Sequence, residues 1–235
     1  MKGYISSFQS LGTVDGPGLR SVVFMQGCPL KCACCHNPET QPFTGGTEVD
    51  SAELAKKILR FRSYYGTRGG LTVSGGEPLM QAEFVTELFR QMKNAGINTA
   101  LDTSGCRPLG QCGELWKYTD LILLDYKFSS DEDYEKYAGG SREAPLGFLA
   151  EAEEKGIPVW LRRVIIPGIN DDEGSMLDLE DVSRRHDCVK KTELLPFHKL
   201  CKEKYENLGI PFRLENTPEP GSELMKTLGE YISKK

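Results

Sequence analysis

The chain has 235 residues, 27% of them charged, and a formal net charge of −5. That length suffices for one substantial core, and the mild acidity gives no general attraction to nucleic acid or to an anionic membrane surface. No apolar run approaches the roughly 18 residues of a membrane span, and the first residues lack the apolar stretch and cleavage site of a signal peptide, so a cytoplasmic protein is expected.

From residue 21 onward, short apolar runs alternate with amphipathic stretches, the pattern of βα repeats around a parallel sheet. Strands are predicted at residues 21–25, 71–74, 97–101, 121–125, 159–166 and 193–196. After the first of them, Asp50 with Glu53 reads as a capping box opening a helix that carries Leu54, Ile58 and Phe61 on one face. Phe84, Leu88 and Met92 form the stripe of a second helix, stopped by Gly96, and Ser130 with Asp133 opens a third. Gly139-Gly140, Pro167-Gly168 and Pro218-Glu219-Pro220-Gly221 mark turns. No linker, fixed-period repeat or low-complexity segment divides the chain, which predicts one domain over residues 1–235.

Polar residues gather at the C-terminal ends of these strands, the face where βα barrels build their sites. Cys28 follows the first, Gly75-Gly76-Glu77 the second and Asp102-Thr103 the third; Asp125 and Lys127 end the fourth, and His198 follows the sixth. Six strands fall short of the eight of a closed barrel, so an α/β fold with a partial barrel, open on one side, is predicted.

Four of the eight cysteines fall between Cys28 and Cys35, too clustered for the disulfide framework of a secreted scaffold. Cys28, Cys32 and Cys35 form C-x3-C-x2-C. Three thiolates hold three irons of a 4Fe–4S cube and leave the fourth open to a small molecule. A zinc site that adds His36 or a distant ligand, or a redox pair at Cys32 and Cys35, uses the same residues. Ser74-Gly75-Gly76-Glu77-Pro78 taken alone is an ordinary tight turn, but glycines also let a backbone approach a ligand closely. Asp125 and Lys127, two apart on a strand, face one side, and opposite charges there are costly unless they pair or bind a ligand. Arg162 and Arg163 alternate, so only one points inward.

Together these residues resemble the radical S-adenosylmethionine superfamily and, within it, the glycyl radical enzyme activases of the pyruvate formate-lyase type. The resemblance runs from Ser6 to Gly209 through Gly12-Thr13-Val14-Asp15-Gly16-Pro17-Gly18-Leu19-Arg20, Cys35-His36-Asn37-Pro38-Glu39, Leu101-Asp102-Thr103-Ser104-Gly105, Val164-Ile165-Ile166-Pro167-Gly168 and Leu195-Pro196-Phe197-His198. It implies a partial (β/α)6 barrel with residues 1–20 as a substrate-side segment. It implies cluster ligands Cys28, Cys32 and Cys35. Gly75, Gly76 and Glu77 receive the methionine amino group, while Asp125, Tyr126, Lys127 and His198 contact S-adenosylmethionine, with Cys34 and His36 beside them. Asp102, Thr103 and Asp125 match a monovalent-cation site, Arg162 is the inward arginine, and Asp15 lies near the substrate peptide.

The implied reaction is one-electron cleavage of S-adenosylmethionine to a 5′-deoxyadenosyl radical, which takes hydrogen from a glycine of a partner glycyl radical enzyme, pyruvate formate-lyase. A flavodoxin or ferredoxin-like protein is the implied reductant, and no general acid or base is needed. The stretch 40–70 contains no cysteine, so a single cluster is expected. Cys34 departs from the family, which usually carries an aromatic there. Competing readings are activation of another glycyl radical enzyme, a small-molecule radical enzyme of the carboxy-deazaguanine synthase type, a zinc-stabilised binding protein, and an electron carrier. Cys106, Cys112, Cys188 and Cys201 are read as scattered free thiols.

Overall fold

The computed structural model describes residues 1–232 of the chain. Six parallel strands form its frame: β2 (Arg20–Met25), β4 (Gly70–Gly75), β5 (Asn98–Thr103), β6 (Leu121–Asp125), β7 (Val159–Ile165) and β8 (Val189–Pro196). Two further strands, β1 (Lys2–Gly12) and β3 (Thr47–Asp50), extend the sheet antiparallel beyond β2. The order is β3-β1-β2-β4-β5-β6-β7-β8, and the sheet does not close: β3 and β8 are its edges. The expected partial barrel, open on one side, is therefore the observed fold, with two additional strands.

Those two strands escape a reading by apolar runs because β1 is polar at Ser6, Ser7, Gln9 and Ser10, and only Gly3, Ile5 and Gly12 are fully buried. Residues 2–12 are thus part of the sheet. β8 starts four residues earlier than predicted, because an edge strand tolerates the exposed Lys190 and Lys191 at its start. β5 runs on to Thr103, pairing Asp102 with Leu123 and Thr103 with Leu124.

Helices α1 (Ser51–Leu59) and α2 (Ala82–Asn94) follow β3 and β4. Asp50 caps α1, accepting from the backbone N–H of Ala52 at 2.9 Å and of Glu53 at 3.4 Å. Leu54 and Ile58 are buried, whereas Phe61 lies past the helix end and packs on Phe8. Phe84, Leu88 and Met92 are buried along α2 as the stripe requires. α3 (Asp131–Ala138) is capped by Ser130 and ends on Gly139 in the left-handed conformation. α4 (Glu143–Glu154), α5 (Glu173–Arg185), α6 (Lys202–Leu208) and α7 (Ser222–Gly229) complete the chain.

The core lies between the sheet and its helices, and each fully buried Leu, Ile or Phe side chain contributes about 1.5–3 kcal/mol. The barrel floor is closed by Arg20, fully buried, which donates to Thr72 Oγ1 and the Leu71 carbonyl at 2.7 Å and to Asn98 Oδ1 at 2.9 Å. Among the described residues no helix is long and apolar enough to cross a membrane.

Candidate functional site

Parallel strands all end on the same side, so their outgoing loops converge there. At that end the loops enclose a cavity of about 470 Å³. The loop after β2 brings Cys28, Cys32, Cys34, Cys35 and His36 to its wall. That loop is fastened along its length. The N–H groups of Lys31 and Ala33 donate to the carbonyls of Ala138 and Tyr137 at the end of α3 (2.8 and 2.7 Å), and the Tyr205 hydroxyl of α6 donates to the Cys35 carbonyl at 3.1 Å. No disulfide joins any of the eight cysteines, and burial pushes the thiol pKa values of Cys28 and Cys34 up to about 12. Cys106, Cys112, Cys188 and Cys201 do not line the cavity. Among the described residues no three Cys, His, Asp or Glu side chains stand close enough to hold a single metal ion. The loop instead presents its thiols to a shared space.

Beside the start of the loop, β4 ends at Gly75, and Gly76 follows it. Gly75 has φ +100°, and a Cβ there would lie 2.3 Å from the Met25 nitrogen; one on Gly76 would lie 2.4 Å from the Gly27 carbonyl oxygen. Only glycine fits this turn, which brings bare backbone to the cavity wall. Glu77 is buried, and its carboxylate accepts from Leu79 N (3.1 Å), Thr103 Oγ1 (2.7 Å), Ser104 N (3.0 Å) and Ser104 Oγ (2.6 Å). It thereby ties the loop after β4 to the loop after β5.

A chain of polar and charged groups crosses the cavity floor from β4 to β7. Ser74 Oγ donates to Asp102 Oδ2 at 2.8 Å; the Arg162 guanidinium bridges Asp102 to Asp125, reaching Asp125 Oδ1 at 2.8 Å; Lys127 Nζ donates to Asp125 Oδ2 at 2.9 Å. Burial pushes the Asp102 carboxyl up to about 6 despite Arg162, with the Asp125 charge adding to the rise. Burial also works against an ionised Asp125, yet the Lys127 and Arg162 charges outweigh it and hold that carboxyl at about 2. The two carboxylates part because Asp125 has two cations and Asp102 shares one. Lys127 is correspondingly held well above the ordinary lysine range: burial opposes its charge, and Asp125 overcomes that.

Alternation along β6 turns Tyr126 the other way. Its side chain is buried behind the sheet, where the hydroxyl accepts from Arg142 Nε at 2.6 Å and donates to Asp178 Oδ2 at 2.9 Å. This side chain does not line the cavity. Arg163 lies on that same rear face, its guanidinium 4.7 Å from the centre of the Tyr126 ring, whereas Arg162 lines the cavity. Thr103 also lines it, but its hydroxyl is engaged with Glu77.

At the remaining wall His198 stacks on His36 with ring centroids 3.9 Å apart, and His36 Nε2 lies 3.1 Å from the His198 carbonyl oxygen. Burial and the neighbouring His198 lower the His36 pKa. His198 Nδ1 is buried without a hydrogen-bond partner. Asp15, in the loop between β1 and β2, reaches the cavity too, and burial raises its carboxyl against the pull of Arg162 and Arg20. Arg142, Asp178, Lys204 and Tyr205 support the site without having been singled out in the sequence; nothing local distinguishes them from ordinary helix-surface residues.

Fold and cavity together define a class: an α/β enzyme whose open barrel gathers a cysteine loop, a glycine turn and a chain of fixed charges around one ligand-sized space. The model of the Radical SAM superfamily matches residues 22–179. The pyruvate formate-lyase-activating enzyme of Staphylococcus epidermidis is 42% identical over 241 residues, covering 99% of this chain and 96% of that one. That of Clostridium pasteurianum is 42% identical over 231 residues, covering 98% and 97%. The chain belongs to the radical SAM superfamily and, within it, to the family of pyruvate formate-lyase-activating enzymes. Solved structures share the fold: a domain of a pyruvate-formate lyase-activating enzyme from Bacteroides vulgatus (TM-score 0.58, 22% identity, 70% of this chain and 92% of that one) and a radical SAM methyltransferase from Sphaerobacter thermophilus (TM-score 0.64, 15% identity, 91% and 63%). Membership implies S-adenosylmethionine and a 4Fe–4S cluster as cofactors.

Proposed function

We propose that this chain activates pyruvate formate-lyase by installing a glycyl radical on it, through reductive cleavage of S-adenosylmethionine at a single 4Fe–4S cluster. The observation that carries the reading is the shared cavity, in which the thiols of Cys28, Cys32 and Cys35 face the glycine turn and the Asp102–Arg162–Asp125–Lys127 chain. The donor set suits the group: three soft thiols on a loop held by backbone hydrogen bonds, with no fourth cysteine required. When bound, the cluster supplies one electron at low potential for breaking the sulfonium bond.

The protein binds and orients. The backbone at Gly75 and Gly76 offers carbonyl acceptors to an ammonium group, and Lys127 and Arg162 offer fixed positive charge to a carboxylate. Asp102, Thr103 and Asp125 are assigned to a monovalent cation beside that carboxylate. His198 Nδ1, buried and unpartnered, offers a hydrogen bond within the cavity, while His36 and Cys34 supply wall. Glu77 acts indirectly, by fixing the turn that bears its neighbours. Asp15, on the loop from β1, faces the incoming polypeptide. Leu30, Val164 and Leu195 line the cavity with apolar surface that limits water. No side chain needs to carry a proton. A flavodoxin or ferredoxin-like protein is the proposed electron donor, the working site is the cytoplasm, and neither nucleic acid nor membrane is a partner.

The test is anaerobic reconstitution with iron and sulfide, reduction, and incubation with S-adenosylmethionine and candidate glycyl radical enzymes. A glycyl doublet in the electron paramagnetic resonance of pyruvate formate-lyase is the expected result. Cleavage of S-adenosylmethionine with no doublet on any candidate would overturn the activase reading, and binding of zinc in place of iron and sulfide would overturn the cluster.

A further inference from the structure

A second cavity, of about 280 Å³, adjoins the first at the open side of the barrel. Ser7 and Gln9 of β1 form one wall; Asn37, Glu39 and Lys204 form the other, with Phe24 between them. Phe24, Asn37 and Thr40 line both cavities, so the two are neighbouring compartments with common walls. Ser7 and Gln9 lie two apart on an extended strand and therefore share a face, and both are exposed, so this compartment opens toward solvent.

Its chemistry is unbalanced in one place. Lys204 Nζ donates to Asn37 Oδ1 at 2.8 Å and to Glu39 Oε1 at 2.6 Å. The other carboxylate oxygen, Glu39 Oε2, is shielded from solvent and has no hydrogen-bond partner. A carboxylate oxygen taken out of water without a donor is costly, and an incoming N–H would relieve that cost. Lys204, the one ammonium lining this cavity among the described residues, is already shared between two acceptors.

Resting on the activase reading, we propose that this second cavity receives the stretch of the partner polypeptide next to the residue that enters the main cavity, and that an N–H of that stretch donates to Glu39 Oε2. Contact between the compartments limits the stretch to the target's near neighbours, since an extended chain advances only about 3.3 Å per residue. The donor is a main-chain amide or a basic side chain; both present the N–H that the carboxylate lacks. Glu39 is thus a specificity-determining residue for the polypeptide, separate from the groups that hold S-adenosylmethionine.

The experiment titrates the reconstituted, S-adenosylmethionine-bound protein with a fluorescent peptide spanning the partner's target glycine and its neighbours on both sides, read by anisotropy. Glu39→Gln keeps an oxygen for Lys204 but turns the free acceptor into an amide donor, and peptide affinity is expected to fall about tenfold, or about 1.4 kcal/mol. Gln9→Ala, on the opposite wall and free of the Lys204 network, is expected to weaken the peptide as well, which guards against a folding artefact at residue 39. A peptide whose lysines and arginines are replaced by alanine identifies the donor. If it binds the parent as weakly as the full peptide binds Glu39→Gln, the donor is a side chain; if it retains full affinity while an N-methylated peptide loses it, the donor is main chain. Parent-level affinity in both Glu39→Gln and Gln9→Ala overturns the inference. Failure of the parent to bind any such peptide overturns the activase reading itself, a distinguishable result.

Discussion

Each of Cys28, Cys32 and Cys35 lines the cavity, and three ligands leave no reserve for holding a cube. Cys28→Ala, Cys32→Ala and Cys35→Ala are each expected to abolish S-adenosylmethionine cleavage and lower iron content, while Cys106→Ala keeps both; iron analysis and product chromatography decide. Cys34 shares that wall. Consecutive side chains on a tight loop rarely aim at one small group, so Cys34→Tyr is expected to keep its iron and bind S-adenosylmethionine as well as the parent or better, by at most about 1 kcal/mol. Loss of iron in Cys34→Ser would make that thiol a ligand. Asp125→Asn and Lys127→Met are expected to weaken S-adenosylmethionine by more than the ~1 kcal/mol of an exposed pair, because each leaves its partner buried and charged. Calorimetry on cluster-loaded variants measures it. The sequence made these residues legible through spacing: i, i+2 on a strand put Asp125 and Lys127 together. It was silent on which charges meet across strands, and the Arg162 bridge between Asp102 and Asp125 appears only once β5, β6 and β7 are laid side by side.

At the scale of elements, strands with unbroken apolar runs were readable and polar ones were not. Residues 71–74 and 121–125 could hardly be anything but buried strand, whereas β1 and β3 are recognised only through their pairing with β2 and with each other. Capping told more than periodicity for short helices: Asp50 and Ser130 mark true starts. α5 has the same device in Asp172, which accepts from Ser175 N at 3.0 Å and from Ser175 Oγ at 2.6 Å. The Ser175 hydrogen bond lowers the Asp172 pKa. A carboxylate whose folded pKa is depressed stabilises the fold above its unfolded value of 3.8, and that contribution fades as pH falls below it. Asp172→Ala is expected to cost about 1 kcal/mol at pH 7, with the gap to the parent narrowing as pH falls below about 4. Thermal unfolding at both pH values checks it.

For the molecule as a whole, the cysteine loop is held from two distant parts of the chain, α3 through Ala138 and Tyr137 and α6 through Tyr205. Loading the cluster is therefore expected to slow hydrogen exchange in residues 28–41 and also around residues 198–205, while β5 and β6, already buried, change little. Exchange measured by mass spectrometry on apo and reconstituted protein reads this directly, and protection confined to the cysteine loop would contradict it. The Glu77 clamp has a different kind of consequence. Its four donors come from three residues on two loops, and a carboxylate only accepts, so no other side chain of similar size satisfies them all. Glutamine would set an amide N–H₂ against a hydroxyl or a backbone N–H, and alanine would leave Thr103 and Ser104 facing an empty space. Positions 77, 103 and 104 therefore have to drift together or not at all. Single exchanges at any of them should be poorly tolerated by descendants of this chain, whereas compensated pairs open routes that no one-step path reaches.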